Sequence, residues 1–252
     1  MTFASLSGQR ILITGSSSGI GRAMALECAL AGADIVINCR QSLERAAAVA
    51  TEIRSLDRRA DVIIADVSDA DDRQRLLETT LQSGPLHAVI CNAGADLLTT
   101  ELRSAPFSHK LQALLQTDLV GTIELSRAVG AHLRNSGGGS LITIGWDQSD
   151  RGMEGDSGEL FAAAKNAVMG FTRSLALSLA PLVRVNCIAP GWIRTAWGER
   201  ASDYWQQRVL SETPLKRWGE PRDIARLARF LLSSDAGFIT GQVINVNGGA
   251  VR

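Results

Sequence analysis

The chain has 252 residues, 45% hydrophobic and 21% charged, and its 26 basic and 26 acidic side chains give a formal net charge of zero. That length suffices for one large core, and the balanced charge excludes the basic face of a nucleic-acid binder or a polybasic membrane anchor. No apolar run approaches a bilayer span, and the first ten residues lack the charged-then-apolar order of a secretory signal. Cys28, Cys39, Cys91 and Cys187 are scattered without metal-like spacing. They read as reduced core thiols of a cytoplasmic protein.

Residues 10–14 form a first apolar strand and 19–31 an amphipathic helix that Gly32 ends. Between them lies Thr14-Gly15-Ser16-Ser17-Ser18-Gly19-Ile20-Gly21. Glycines on a strand-to-helix turn let a ligand approach the backbone, and the free N–H groups of the helix start face an anion such as a pyrophosphate. A second strand spans 34–39, and a helix 42–56 follows with Ser42 as its cap. Residues 60–65 form a third strand ending at Asp66, and Ser68 or Asp69 caps a helix reaching about residue 82. A fourth strand, 86–91, ends at Asn92-Ala93-Gly94. One long helix then covers about 106–135, and a fifth strand 140–144. A polar, glycine-rich segment, 145–158, leads into helix 159–180. A sixth strand spans 183–188, residues 192–218 are irregular and aromatic, helix 221–233 starts at Pro221, and a last strand spans 243–246.

Strand and helix alternate throughout, and the strands are continuously apolar. That is the pattern of one α/β domain: a doubly wound parallel sheet with helices on both faces. Ligands of such sheets bind beyond the carboxyl ends of the strands. The polar and glycine motifs gather there.

These motifs resemble the short-chain dehydrogenase/reductase family along nearly the whole chain, and most closely its 3-oxoacyl-acyl-carrier-protein reductases. The resemblance rests on Thr14-Gly15-x3-Gly19-x-Gly21, Asp66, Asn92-Ala93-Gly94, Pro190-Gly191-x-Ile193-x-Thr195, and Thr240-Gly241-Gln242 with Gly248-Gly249. It implies a nicotinamide cofactor on the glycine turn, with Gly15, Ser17, Ser18, Gly19, Ile20 and Gly21 around its phosphates. By the same resemblance Asp66 and Val67 hold the adenine, and Asn92, Ala93 and Gly94 line the adenine-ribose side. Pro190, Gly191, Ile193 and Thr195 lie near the nicotinamide, and Lys165 bonds its ribose. The second strand ends Asn38-Cys39-Arg40 without a carboxylate. Arg40 there favours the 2′-phosphate of NADP(H) over the free ribose hydroxyl of NAD(H). The resemblance also implies a homotetramer built on helices 106–135 and 159–180, and a substrate lid over about 192–218.

The chain departs from the family where the reaction occurs. The family's Tyr-x3-Lys reads Phe161-Ala162-Ala163-Ala164-Lys165, and a phenyl ring has no proton to give. The Asn position is Asp118, and the serine position is Trp146 or Gln148, depending on where two extra residues are placed. Lys165 alone survives. The expectation is an NADP(H)-dependent oxidoreductase of a small carbonyl or alcohol, with Asp118 or Asp147 as a substitute acid beside Lys165. Two alternatives stand with it: a non-catalytic NADP(H)-binding sensor, and a reductase of an activated double bond.

Overall fold

A computed structural model describes residues 2–250. Seven parallel strands form one sheet: β1 (Arg10–Ile13), β2 (Asp34–Cys39), β3 (Ala60–Ile64), β4 (Ala88–Cys91), β5 (Gly139–Ile144), β6 (Val183–Pro190) and β7 (Val243–Val246). Their order across the sheet is β3-β2-β1-β4-β5-β6-β7. The chain crosses from one edge to the centre after β3, so β1 and β4 flank the switch point where the connections diverge. Successive side chains of a strand face opposite layers. Ile11 and Ile13 accordingly point into one core with Met24, Ile35, Ile37 and Leu231. Leu12 points into the other with Val36, Val89, Leu141, Leu125 and Leu175. Burial on both faces explains why these strands are apolar throughout rather than alternating.

Helices α1 (Gly19–Leu30), α2 (Leu43–Arg54) and α9 (Pro221–Leu232) cover the first face. Helices α3 (Ala70–Gln82), α5 (Thr122–Asn135) and α6 (Asp156–Leu179) cover the second. Local signals set several ends. The Asp69 carboxylate accepts from the Asp72 N–H at 2.9 Å and so caps α3. Pro221 opens α9 inside a capping box of Glu220 and Asp223. Ser42 does not cap α2: its hydroxyl accepts from the Arg45 guanidinium instead.

Two segments differ from the sequence reading. The long helix expected over 106–135 is α4 (Phe107–Leu114) joined to α5 by a π-helical turn, Leu115–Gly121, that carries Asp118. Residues 192–218 are not irregular: they hold α7 (Ala196–Arg200) and α8 (Asp203–Glu212). All four cysteines are buried and free. Burial pushes the Cys28 thiol up to about 12 and Cys91 to about 11, which leaves both unreactive. Among the described residues no helix is long and apolar enough to cross a membrane, and no cluster of side chains has the make-up of a metal site.

Candidate active site

The glycine turn is bound to the neighbouring strand by hydrogen bonds. Thr14 Oγ1 accepts from the Asn92 and Ala93 N–H groups at 2.9 and 3.0 Å. The Asn92 amide donates to the Thr14 and Gly15 carbonyls at 2.9 and 3.1 Å. A Cβ on Gly21 would stand 2.3 Å from the Gly15 carbonyl oxygen and 2.6 Å from the Asn92 amide, so only glycine lets α1 pack this close. Asn92 and Ala93 thus build the turn from behind. Asn38 also braces the structure: it is 1% exposed, and its amide donates to the Ile63 and Ala65 carbonyls. Its expected place among the cofactor contacts is corrected to a brace between β2 and β3. Ser16, which the sequence reading left out, couples the turn to β2, its hydroxyl donating to the Ile13 carbonyl at 2.7 Å and accepting from Asn38 N–H.

The front of the turn is open. Ser18 and Gly19 are exposed, and Ser18 makes no side-chain cap to α1, whose first turn holds no acid. Its N–H groups and positive dipole end are therefore available to a phosphate. Ser17 is 9% exposed and hydrogen-bonds the Cys39 thiol. Asp66 Oδ1 is held by the Ser68 N–H and hydroxyl at 2.9 and 2.7 Å, while Oδ2 lies 3.9 Å from Arg40. Val67 is buried beside it. Arg40 extends into solvent, its side chain 58% exposed, and Arg45 adds a second cation at the same corner.

From this turn a cavity of about 840 Å³ runs across the carboxyl ends of β5 and β6. It gathers Ile20, Lys165, Pro190, Gly191, Ile193 and Thr195, all singled out from the sequence, with Trp146 and Phe161. The Trp146 and Phe161 rings meet edge-on at 6.2 Å. Gln148 is buried away from the cavity, so Trp146 occupies the end of β5 where the family places its serine. Trp192, Trp197 and Trp205 form the far wall in mutual ring contacts of 5.5–6.0 Å.

Lys165 Nζ lies 2.8 Å from Asp118 Oδ2 and donates to the Ile144 carbonyl at 3.2 Å. Asp118 is 2% exposed, and its Oδ1 accepts from the Ala95 N–H at 2.7 Å. Both oxygens act as acceptors, so the expectation of a proton-donating Asp118 is corrected: it is the counter-ion of Lys165. Asp147 does not stand with Lys165. The chain turns after Gly145 so that Trp146 enters the cavity while Asp147 is directed beneath Gly191, with Oδ2 only 3.1 Å from where a Cβ there would stand. Its Oδ2 accepts from the Asn247 amide at 3.0 Å, and Oδ1 is buried without a partner. Burial raises the Asp147 carboxyl from 3.8 to about 6, with the Asn247 bond opposing.

A sequence model described as enoyl-(acyl carrier protein) reductase matches residues 15–251. A 3-oxoacyl-[acyl-carrier-protein] reductase of Synechocystis is 36% identical over 250 residues, 98% of each chain. The chain belongs to the short-chain dehydrogenase/reductase family. Two solved members of this family or fold superpose closely. A short-chain dehydrogenase of Burkholderia cenocepacia in complex with NADP has a TM-score of 0.88 at 31% identity, covering 97% of this chain and 98% of its own. A 7α-hydroxysteroid dehydrogenase with NADH and 7-oxo glycochenodeoxycholic acid has a TM-score of 0.89 at 29% identity, covering 98% and 96%. The protein is thus an oxidoreductase of the short-chain dehydrogenase/reductase type. The open front of its glycine turn fits the nicotinamide dinucleotide such enzymes bind.

Proposed function

We propose that this short-chain dehydrogenase/reductase reduces a carbonyl substrate with NADP(H), and that the Lys165 ammonium supplies the proton a tyrosine would otherwise give. The single observation that carries this reading is the Lys165–Asp118 pair beside Phe161 and Trp146 in the cavity. An ammonium has three N–H donors. One faces Asp118 Oδ2 and one the Ile144 carbonyl, which leaves one for a ligand. A nicotinamide cofactor on the glycine turn supplies the hydride. As negative charge builds on the substrate oxygen, a held ammonium stabilises it without reorganising. An alkoxide is much more basic than an amine, so the proton then passes from Nζ to oxygen. Lys165 regains a proton from water at the cavity, where its side chain is 12% exposed. Asp118 keeps the ammonium in place throughout.

Arg40 and Arg45 at the end of β2 support the preference for NADP(H), since both offer charge-assisted bonds to a 2′-phosphate. The segment from Trp192 to Trp218 serves as the lid. It is fastened at Arg208, which pairs with Glu154 of the loop after β5 and with Glu212 at 2.6 Å, and lies 5.0 Å over the Trp205 ring. The exposed face of α6 carries Ala163, Ala167 and Gly170, with Leu177 84% exposed, and suits close packing with a second copy in a homotetramer.

The test is a panel of ketones, aldehydes and enones with NADPH, followed by Lys165→Met. We expect kcat to fall by about 10²–10⁴, the usual weight of a general acid, with NADPH affinity changed less than tenfold. Undiminished turnover in the variant would remove Lys165 from the reaction. No NADPH oxidation by the wild type across the panel would favour a cofactor-binding sensor.

A further inference from the structure

Five ionisable side chains line the cavity: Arg103, Glu154, Asp156, Lys165 and Arg200. Three of them have their charge balanced by a partner. Lys165 pairs with Asp118 at 2.8 Å, Glu154 with Arg208, and Asp156 with Lys110 at 3.4 Å. Arg103, in the turn Glu101–Ser104, and Arg200, at the end of α7, form no ion pair among the described residues. The two lie far apart in sequence, yet the fold brings both to this one cavity. An exposed arginine is unremarkable alone. Two uncompensated guanidiniums on the walls of one largely aromatic cavity are not expected from a solvated surface, where the other cations of this site all found carboxylates.

We infer that the substrate of this site carries an anionic group, a carboxylate or a phosphate, on an apolar or aromatic body, and that Arg103 and Arg200 receive that group. The inference rests on the reading of this cavity as the substrate site. The planar guanidinium fork matches both oxyanions in bidentate geometry. The body of the ligand has a matching surface in Trp192 and Trp197, whose rings stack at 6.0 Å with an interplanar angle of 28°. The reacting carbonyl would lie toward Lys165 and the anion toward the rim. The site then discriminates a keto acid or keto phosphate from its neutral ester by charge rather than by shape.

Three ligands without a reducible ketone test this: 4-phenylbutyrate, its methyl ester, and 2-phenylethyl phosphate. Each is titrated calorimetrically into the full-length protein with excess NADP+, which keeps the anions off the glycine turn. We expect one or both anions to bind at least about tenfold more tightly than the ester, with an advantage that shrinks as salt rises. The tighter anion identifies the group that is read. Arg103→Gln and Arg200→Gln should each weaken anion binding by about five- to tenfold and leave the ester within about twofold. Equal affinity for acid, phosphate and ester in the wild type would overturn the inference. So would an anion preference that persists unchanged in the double variant. Because these ligands report binding without turnover, a preference for anions alongside absent NADPH oxidation would uphold the inference while the catalytic reading failed.

Discussion

Asp147 allows a prediction in which geometry and titration separate. Its carboxyl is raised from 3.8 to about 6, first by burial, against the Asn247 hydrogen bond. That value would suit a catalytic acid, yet the group lies beneath Gly191, outside the cavity. Its titration should therefore be visible in stability. A carboxyl that holds its proton more tightly when folded imposes no penalty below the unfolded value of 3.8. The penalty grows as pH rises and is complete above about 6. The interval, at 1.36 kcal/mol per pH unit, corresponds to about 2–3 kcal/mol. Asp147→Asn removes this ionisation and keeps an oxygen for Asn247. Its amide at the unpartnered Oδ1 position adds a cost that does not vary with pH. The assay is urea unfolding of both proteins by tryptophan fluorescence at pH 4, 6 and 8. Relative to wild type, the variant should gain about 2–3 kcal/mol between pH 4 and pH 8. Parallel stability profiles across that window would refute the reasoning.

The wild type should bind NADPH more tightly than NADH, and Arg40→Ala should narrow the gap, with Arg45→Ala adding to the effect; equal wild-type affinities by calorimetry would sink this. Asp118→Leu should destabilise the fold by about 3 kcal/mol, because it strands the Lys165 ammonium in a site where it is 12% exposed. The double variant with Lys165→Met should recover most of that in thermal unfolding, and a variant as stable as wild type would show the pair to be energetically idle. Light scattering at micromolar concentration should give a dimer or tetramer; a monomer would contradict the packing role of the α6 face.

The sheet was legible because both its faces are buried, so each strand shows as an unbroken apolar run such as Ile11-Leu12-Ile13. The glycine turn was legible because few other sequences allow the approach that Gly21 makes. Helix α8 was missed because Val209 is its one buried side chain, which leaves almost no apolar periodicity to read. The π turn at Leu115–Gly121 has no proline or glycine within its first six residues to mark it. Yet it carries Asp118, so the residue could be named and its partner could not. Asn38 and Asn92 were placed correctly beside the turn, but whether an amide faces a ligand or a neighbouring carbonyl depends on strand pairing. Arg103 and Arg200 carried no local signal, since nothing in either segment records that the fold brings them to one cavity.

The substitutions at the reaction centre are consistent with one another. A tyrosine lost by drift would leave its partners behind. Here Phe161 and Trp146 meet edge-on in the cavity wall, and neither leaves a polar atom to satisfy. A carboxylate introduced at a 2% exposed position without a cation would be costly. Asp118 instead has both oxygens engaged, one by Lys165 and one by the Ala95 N–H. A buried ion pair is no more stabilising than well-packed apolar side chains of similar volume, so fold stability gives no reason for it. What the pair supplies is a charged ammonium held at a fixed place in an apolar cavity. That is the one property a hydride-transfer site lacking its tyrosine hydroxyl requires at the substrate oxygen.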